Sequence, residues 1–129
     1  MPLNVPTEIR ISHDVSTANA TETFATASLT GTGSNSTVFE TSFYKDHTLY
    51  LKNTANRALT VQVQGSRDQA FTNPFSVGPA ISMADGSATA TEAVASLTDH
   101  VPFIRVNAKS TTTTATSGSL VVELMAQKE

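Results

Sequence analysis

The sequence predicts an all-β protein, an antiparallel β-sandwich or barrel of about eight short strands. Three observations carry this. Apolar and polar residues alternate in several short runs, and a period of two marks a half-buried strand, because successive side chains leave a pleated backbone on opposite sides. Turn-forming clusters separate the runs, with no long helical period and no strand–helix alternation between them. Of the 129 residues only 15% are charged and 39% are hydrophobic, and Thr, Ser, Asn and Gln dominate the remainder. That mixture suits strands with one wet face better than helices, which carry Glu and Lys on their solvent side.

The stretch from Thr48 to Asp68 organises the rest. Leu49 and Leu51 share a face with Tyr50 and Lys52 opposite, and Leu59, Val61 and Val63 share a face with Thr60, Gln62 and Gln64 opposite. The break from Asn53 to Ala58 holds two asparagines, which accept turn geometry and hydrogen-bond their own backbone. The expectation is a β-hairpin on which the remaining strands pair or pack.

In chain order, Met1 to Pro6 holds two prolines, which predicts an extended N-terminal arm, residues 1–7, ahead of the single β domain that makes up 1–129. Glu8 to Ser12 alternates through Ile9 and Ile11 and reads as a short strand. Asp14 to Thr21 is small and polar and reads as a loop; Phe24 to Leu29 alternates weakly and reads as a strand. Gly31 to Ser36 is a loop, and Val38 to Tyr44 a strand. Gly65 to Asn73 is a loop, and the prolines at 74 and 79 exclude a regular central strand between them. Ala80 to Met83 reads as a short strand, followed by a turn at Asp85-Gly86 of the kind that suits hairpins. Ala88 to Leu97 fits a strand or a single helical turn; threonines at 89 and 91 disfavour a helix interior. Val101 to Ala108 sets Phe103, Arg105 and Asn107 against Ile104, Val106 and Ala108. A threonine-rich loop, Lys109 to Ser117, leads to the last strand, Leu120 to Met125, with Leu120, Val122 and Leu124 on one face. The core is therefore expected to hold Leu49, Leu51, Leu59, Val61, Val63, Ile104, Val106, Leu120, Val122 and Leu124.

Totals exclude several function classes. A net charge of −3 and no basic cluster argue against a nucleic-acid partner. No cysteine is present, so disulfides and Cys-ligated zinc are excluded. No apolar run is long enough to span a bilayer, and Met1 to Arg10 lacks the basic-then-apolar pattern of a signal peptide, so no membrane partner and no Sec export are expected.

Chemistry-bearing residues are sparse. His13-Asp14, Asp46-His47 and Asp99-His100 pair the components of a metal site or a general-base pair, and all lie at expected strand ends. A metal site would need His13, His47 and His100 to converge; Asp and His as ordinary strand-end residues is the plainer reading. There is no Gly-x-Ser-x-Gly elbow and no phosphate-binding loop. No catalytic, cofactor-binding or metal residue is assigned, and no enzyme activity is expected. Tyr44 and Tyr50 are the only tyrosines and there is no Trp; a sugar platform would need one of them exposed, and for Tyr50, opposite Leu49 and Leu51, a cross-strand packing role is the plainer reading. Asn19-Ala-Thr21 and Asn35-Ser-Thr37 match a glycosylation pattern and read as polar loops. Arg105 sits in an apolar strand: facing inward it needs Glu123 or Asp99 as partner, facing outward it marks an interface.

Read together, Gly65-Ser-Arg-Asp68, the Phe103-Ile-Arg-Val106 strand, the Thr/Ser-rich loop and the final strand after Ser117-Gly118 resemble small β-sandwich accessory proteins of tailed-phage virions, such as head decoration proteins. The resemblance covers roughly residues 48–126 and is one of pattern, a pattern also found in bacterial surface modules of sandwich type. It implies a non-enzymatic structural protein, made in the host cytoplasm and located in the virion, that forms homo-oligomers and binds the major capsid protein or another virion protein. The alternative is a carbohydrate- or host-surface-binding module of adhesin type.

Overall fold

The computed structural model describes residues 17–42, 44–97 and 101–128. The expected arm at 1–7 and the expected strand Glu8 to Ser12 lie outside these residues.

Two antiparallel sheets pack face to face as a β-sandwich, and the described residues do not close into a barrel. The first sheet orders β1 (Thr17–Phe24), β10 (Leu120–Lys128), β4 (Tyr44–Asn53) and β8 (Thr91–Leu97). The second orders β2 (Ser34–Asn35), β9 (Phe103–Ser110), β5 (Leu59–Ser66) and β6 (Phe75–Ser76), with β3 (Phe39–Glu40) also on β9 and β7 (Ile81–Met83) also on β5. Of these ten strands three are two-residue bridges.

All ten residues expected in the core are buried, none more than 4% exposed. The inward rows of β4 and β10 meet those of β5 and β9, and Phe24, Leu29, Met83, Leu97 and Val101 close the margins. Each such Leu, Val or Ile contributes about 1.5–3 kcal/mol by leaving water. The alternation that revealed these strands is the same fact seen from the sequence side.

The expected hairpin is not formed. β4 pairs with β10 and β8, whereas β5 pairs with β9, β6 and β7, so residues 54–58 arch from one sheet to the other. Two strands joined by a short turn show the same period whether they lie side by side or face each other across a core. The arch is held from inside. Asn53, fully buried, donates from Nδ2 to the carbonyls of Arg57 at 3.1 Å and Ala84 at 2.9 Å, and its Oδ1 accepts from Ala55 N at 2.9 Å. The Asp85-Gly86 turn is likewise not a hairpin turn, since β7 and β8 belong to different sheets.

Of the stretch Asp14 to Thr21 read as a loop, the described residues Thr17 to Thr21 belong to strand β1, in unbroken register with β10 from Thr17↔Gln127 to Phe24↔Leu120. It is an edge strand, so Thr, Ala and Asn suffice where a central strand would need larger apolar residues. The expected strand Phe24 to Leu29 is instead the end of β1 followed by a single 3-10 turn, Thr26–Ser28. The expected strand Val38 to Tyr44 is divided between β3 and the start of β4. Thr41 between them donates from N to Pro102 O at 2.8 Å and from Oγ1 to Val101 O. Ala88 to Leu97 is a strand, β8, not a helical turn.

Candidate functional site

The register of the first sheet builds its outer face row by row. In one row Thr21, Glu123, Tyr50 and Val94 lie across β1, β10, β4 and β8; in the next lie Thr23, Val121, Lys52 and Glu92. Met125 and Thr48 continue the face on the other side, with Ser96 beyond. Such a face is ordinarily polar, yet Val94 is 63% exposed, Tyr50 41% and Met125 39%. A depression of about 250 Å³ lies between the two main rows, lined by Tyr50, Lys52, Glu92, Val121 and Glu123.

This arrangement can pack against another surface. It offers the exposed Tyr50, Val94 and Met125 with Glu123, Lys52 and Glu92 set among them, an apolar group larger than a polar sheet face ordinarily shows. It can also stack a sugar ring on Tyr50 with Glu92, Glu123 and Lys52 at hydrogen-bonding positions.

His47 is buried at 3% exposure on the inward row of β4, while its neighbour Asp46 is exposed. Adjacent strand residues point to opposite faces, so the two cannot serve one site. His13, Asp14, Asp99 and His100 lie outside the described residues. Among the described residues no three His, Cys, Asp or Glu side chains gather into a metal-binding group.

Tyr50 has the exposure a platform needs; the side chain of Tyr44 is outside the description. Arg105 does not meet Glu123, which stands on the other sheet. Its Nε donates to Gln64 Oε1 at 2.8 Å, and its guanidinium lies 4.4 Å from the ring centroid of Phe71. Phe71 is buried at φ 54° in the loop after β5 and covers the arginine. Arg105 is thus bonded to the neighbouring strand β5 through Gln64 and holds the loop by cation–π attraction to Phe71 rather than standing open as an interface centre. Asn35 is on β2, where its Oδ1 accepts from Asn107 Nδ2 at 2.9 Å.

Two aspartates organise loops. Asp68 accepts from Ser66 Oγ and Thr72 Oγ1, both at 2.7 Å, and these hydroxyls hold its carboxyl below the usual range. Asp85 accepts from Ser87 Oγ at 2.6 Å and Ser87 N at 2.8 Å, which lowers it likewise, with the Arg57 charge adding a smaller effect.

The sequence places Met125 with Val121 and Glu123 on the face opposite Leu120, Val122 and Leu124, as found, but assigns no face to Val94. The signal that could have found Val94 is its place outside the Ala93–Ala95–Leu97 alternation.

No protein-family model and no curated protein matches the sequence. Solved structures do share its fold. The PBSX exported protein XepA superposes with a TM-score of 0.62 at 12% identity, over 85% of this chain and 37% of its own. The SPBc2 prophage-derived protein YomS superposes with a TM-score of 0.54 at 10% identity, over 85% of this chain and 93% of its own. Two phage-derived proteins thus have this β-sandwich. The chain spans little more than a third of XepA.

Proposed function

We propose that the chain is a non-enzymatic structural protein of a phage particle, of the capsid decoration type, that self-associates and binds the major capsid protein or another virion protein. The observation that supports this is the trio Tyr50, Val94 and Met125, standing exposed on one sheet of a rigid sandwich. A protein that stabilises a shell needs no reaction centre; it needs a stiff scaffold and a contact face that becomes effective when repeated on a lattice. The sandwich shared with YomS and XepA is compatible with that role. Light scattering on a sizing column, followed by co-sedimentation with phage particles, tests it. The expected result is concentration-dependent association and co-sedimentation. A strict monomer at high concentration with no affinity for particles rejects the reading.

A second reading, a glycan- or host-surface-binding module, is favoured by one observation, the exposure of Tyr50 between Glu123 and Val94. A glycan array separates the two: specific signals abolished by Tyr50→Ala support binding of sugar, and a blank array removes it.

A further inference from the structure

The sandwich protects its sheet edges unequally. At β1, Glu22 accepts from Thr37 N at 3.3 Å and Thr37 Oγ1 at 3.5 Å, tying that edge to the loop between β2 and β3. The second sheet ends in strands of two or three residues, and Pro74 and Pro79 bracket the segment around β6. Short edges, prolines and covering loops are the devices that keep an edge from pairing with another chain. Among the described residues β8 carries none of them. It runs for seven residues, Thr91–Leu97, without proline or glycine, and Glu92 is its only charge. Among the described residues nothing pairs with its outer side.

Beside that edge the sandwich is open. A groove of about 250 Å³ lies between the sheets, lined chiefly by Val63, Val77, Ile81, Ala95 and Leu97. It exists because β8 turns small residues inward: Ala93 and Ala95 are only partly buried. An exposed strand above an apolar groove is the acceptor geometry for β-augmentation, in which backbone hydrogen bonds supply affinity and alternate side chains supply specificity.

We propose that the β8 edge of one copy takes up the segment Glu8 to Ser12 of a second copy as an added strand, with Ile9 and Ile11 in the groove. This rests on the self-association in the reading above and adds a second contact to the outer face named there. Ile9 and Ile11 are two residues apart, so they share a face and stand about 6.6 Å from each other along a strand. That face is apolar and fits Val77, Ile81 and Ala95. Arg10 then lies on the outer face, where β8 presents Glu92. Cross-strand opposite charges favour such a pairing.

The donor is a second copy because the chain's own edge is out of reach. β1 begins at the other side of the same sheet, across β10 and β4 from β8. From β1 to a strand added beyond β8 is four strand spacings, about 19 Å. The five residue steps from Thr17 to Ser12 span at most about 18 Å even fully extended, before any detour around the ends of β10 and β4.

Absence of native cysteine makes thiol cross-linking a clean test. Full-length Ile9→Cys or Ile11→Cys chains are mixed with differently tagged Ala93→Cys or Ala95→Cys chains and mildly oxidised. The expected product is a disulfide-linked pair carrying both tags. It should be absent when Arg10→Cys, whose thiol faces outward, is the donor. A chain carrying both Ile9→Asp and Ile11→Asp should keep its circular dichroism spectrum and self-associate at least about tenfold more weakly. Links among Ala95→Cys chains alone would mean that two β8 edges pair directly. A link within one double-cysteine chain would put the segment on its own edge. No link beyond that of a Ser82→Cys acceptor, on the outer face of β7, would leave the edge unoccupied. Each of these overturns the proposal. Oligomers without the mixed link would leave the proposed function standing and remove this contact; the mixed link without particle binding would do the reverse.

Discussion

Asn53 donates from Nδ2 to the carbonyl of Ala84 at 2.9 Å and thereby ties the arch between the sheets to the loop that enters β8. The same amide serves Arg57 O and Ala55 N, so one fully buried side chain satisfies three backbone groups. Asn53→Ala leaves those groups without partners away from water and should lower stability by about 2–4 kcal/mol. Asn53→Asp keeps the acceptor, loses both donors and buries a charge, so it should be no milder. The midpoint of urea unfolding, at unchanged slope, measures both. A loss below about 0.5 kcal/mol for either would show that the arch is held elsewhere.

Gly118 and Gly78 both adopt left-handed backbone, at φ 79° and 72°, but in different surroundings. A Cβ on Gly118 would stand 2.1 Å from the carbonyl oxygen of Thr54, whereas one on Gly78 meets nothing within 4 Å. Gly78→Ala should therefore show conformational strain alone, about 1–2 kcal/mol. Gly118→Ala adds a backbone collision beside the Thr54–Ser119 hydrogen bonds and should cost clearly more. Thermal unfolding of the pair checks the order, and equal losses would contradict the packing around residue 118.

Val61 is wholly buried on β5 and Val94 is the most exposed large apolar residue described on either sheet. Val61→Asp places an unpaired carboxylate in the core and should unfold the domain. Val94→Asp should change stability by no more than about 0.5 kcal/mol while weakening association through the outer face. Circular dichroism reads the first effect and light scattering the second. A folded Val61→Asp would mean that the strand register is shifted by one and every face with it.

Asp68 and Asp85 give the stability a defined acid dependence. Hydroxyls of Ser66 and Thr72 lower the first, and the hydroxyl and amide of Ser87 the second, from the ordinary value of 3.8. A carboxyl whose folded value is depressed stabilises the fold fully above its unfolded value and loses that contribution as pH falls through the folded one. Stability should thus be flat on this account above pH 3.8 and decline below it. A chain carrying Asp68→Asn and Asp85→Asn should show a shallower decline in the same window. Unfolding midpoints measured from pH 6 down to pH 2 would show it, and an unchanged acid slope would refute the assignment.

Much of the fold was legible because burial on one face writes itself as alternation: Leu59, Val61 and Val63, or Leu120, Val122 and Leu124. Strand partners were not legible, since Asn53 to Ala58 reads as a turn whether it closes a hairpin or bridges two layers. β1 was hidden by its position, because an edge strand with Thr, Ala and Asn lacks the apolar rhythm of a central one. The candidate face was half legible. Tyr50 opposite two leucines left its exposure open against a cross-strand packing role, and its company of Val94, Glu123 and Met125 depends on β8 and β10 flanking β4, which no local pattern records.

The place of β10 in its sheet has a consequence for synthesis. Leu120–Lys128 is the last element described, yet it lies between β1 and β4, two of the earliest. A nascent chain that has emerged only as far as Ser119 carries β1 and β4 with no strand to join them, and the row Leu120, Val122 and Leu124 is missing from the core. Non-local pairing of this kind delays folding until the far segment is released. Folding is thereby coupled to translation of residue 120 and beyond, and a prematurely terminated copy would be left unfolded for proteolysis instead of entering an assembly as a defective subunit.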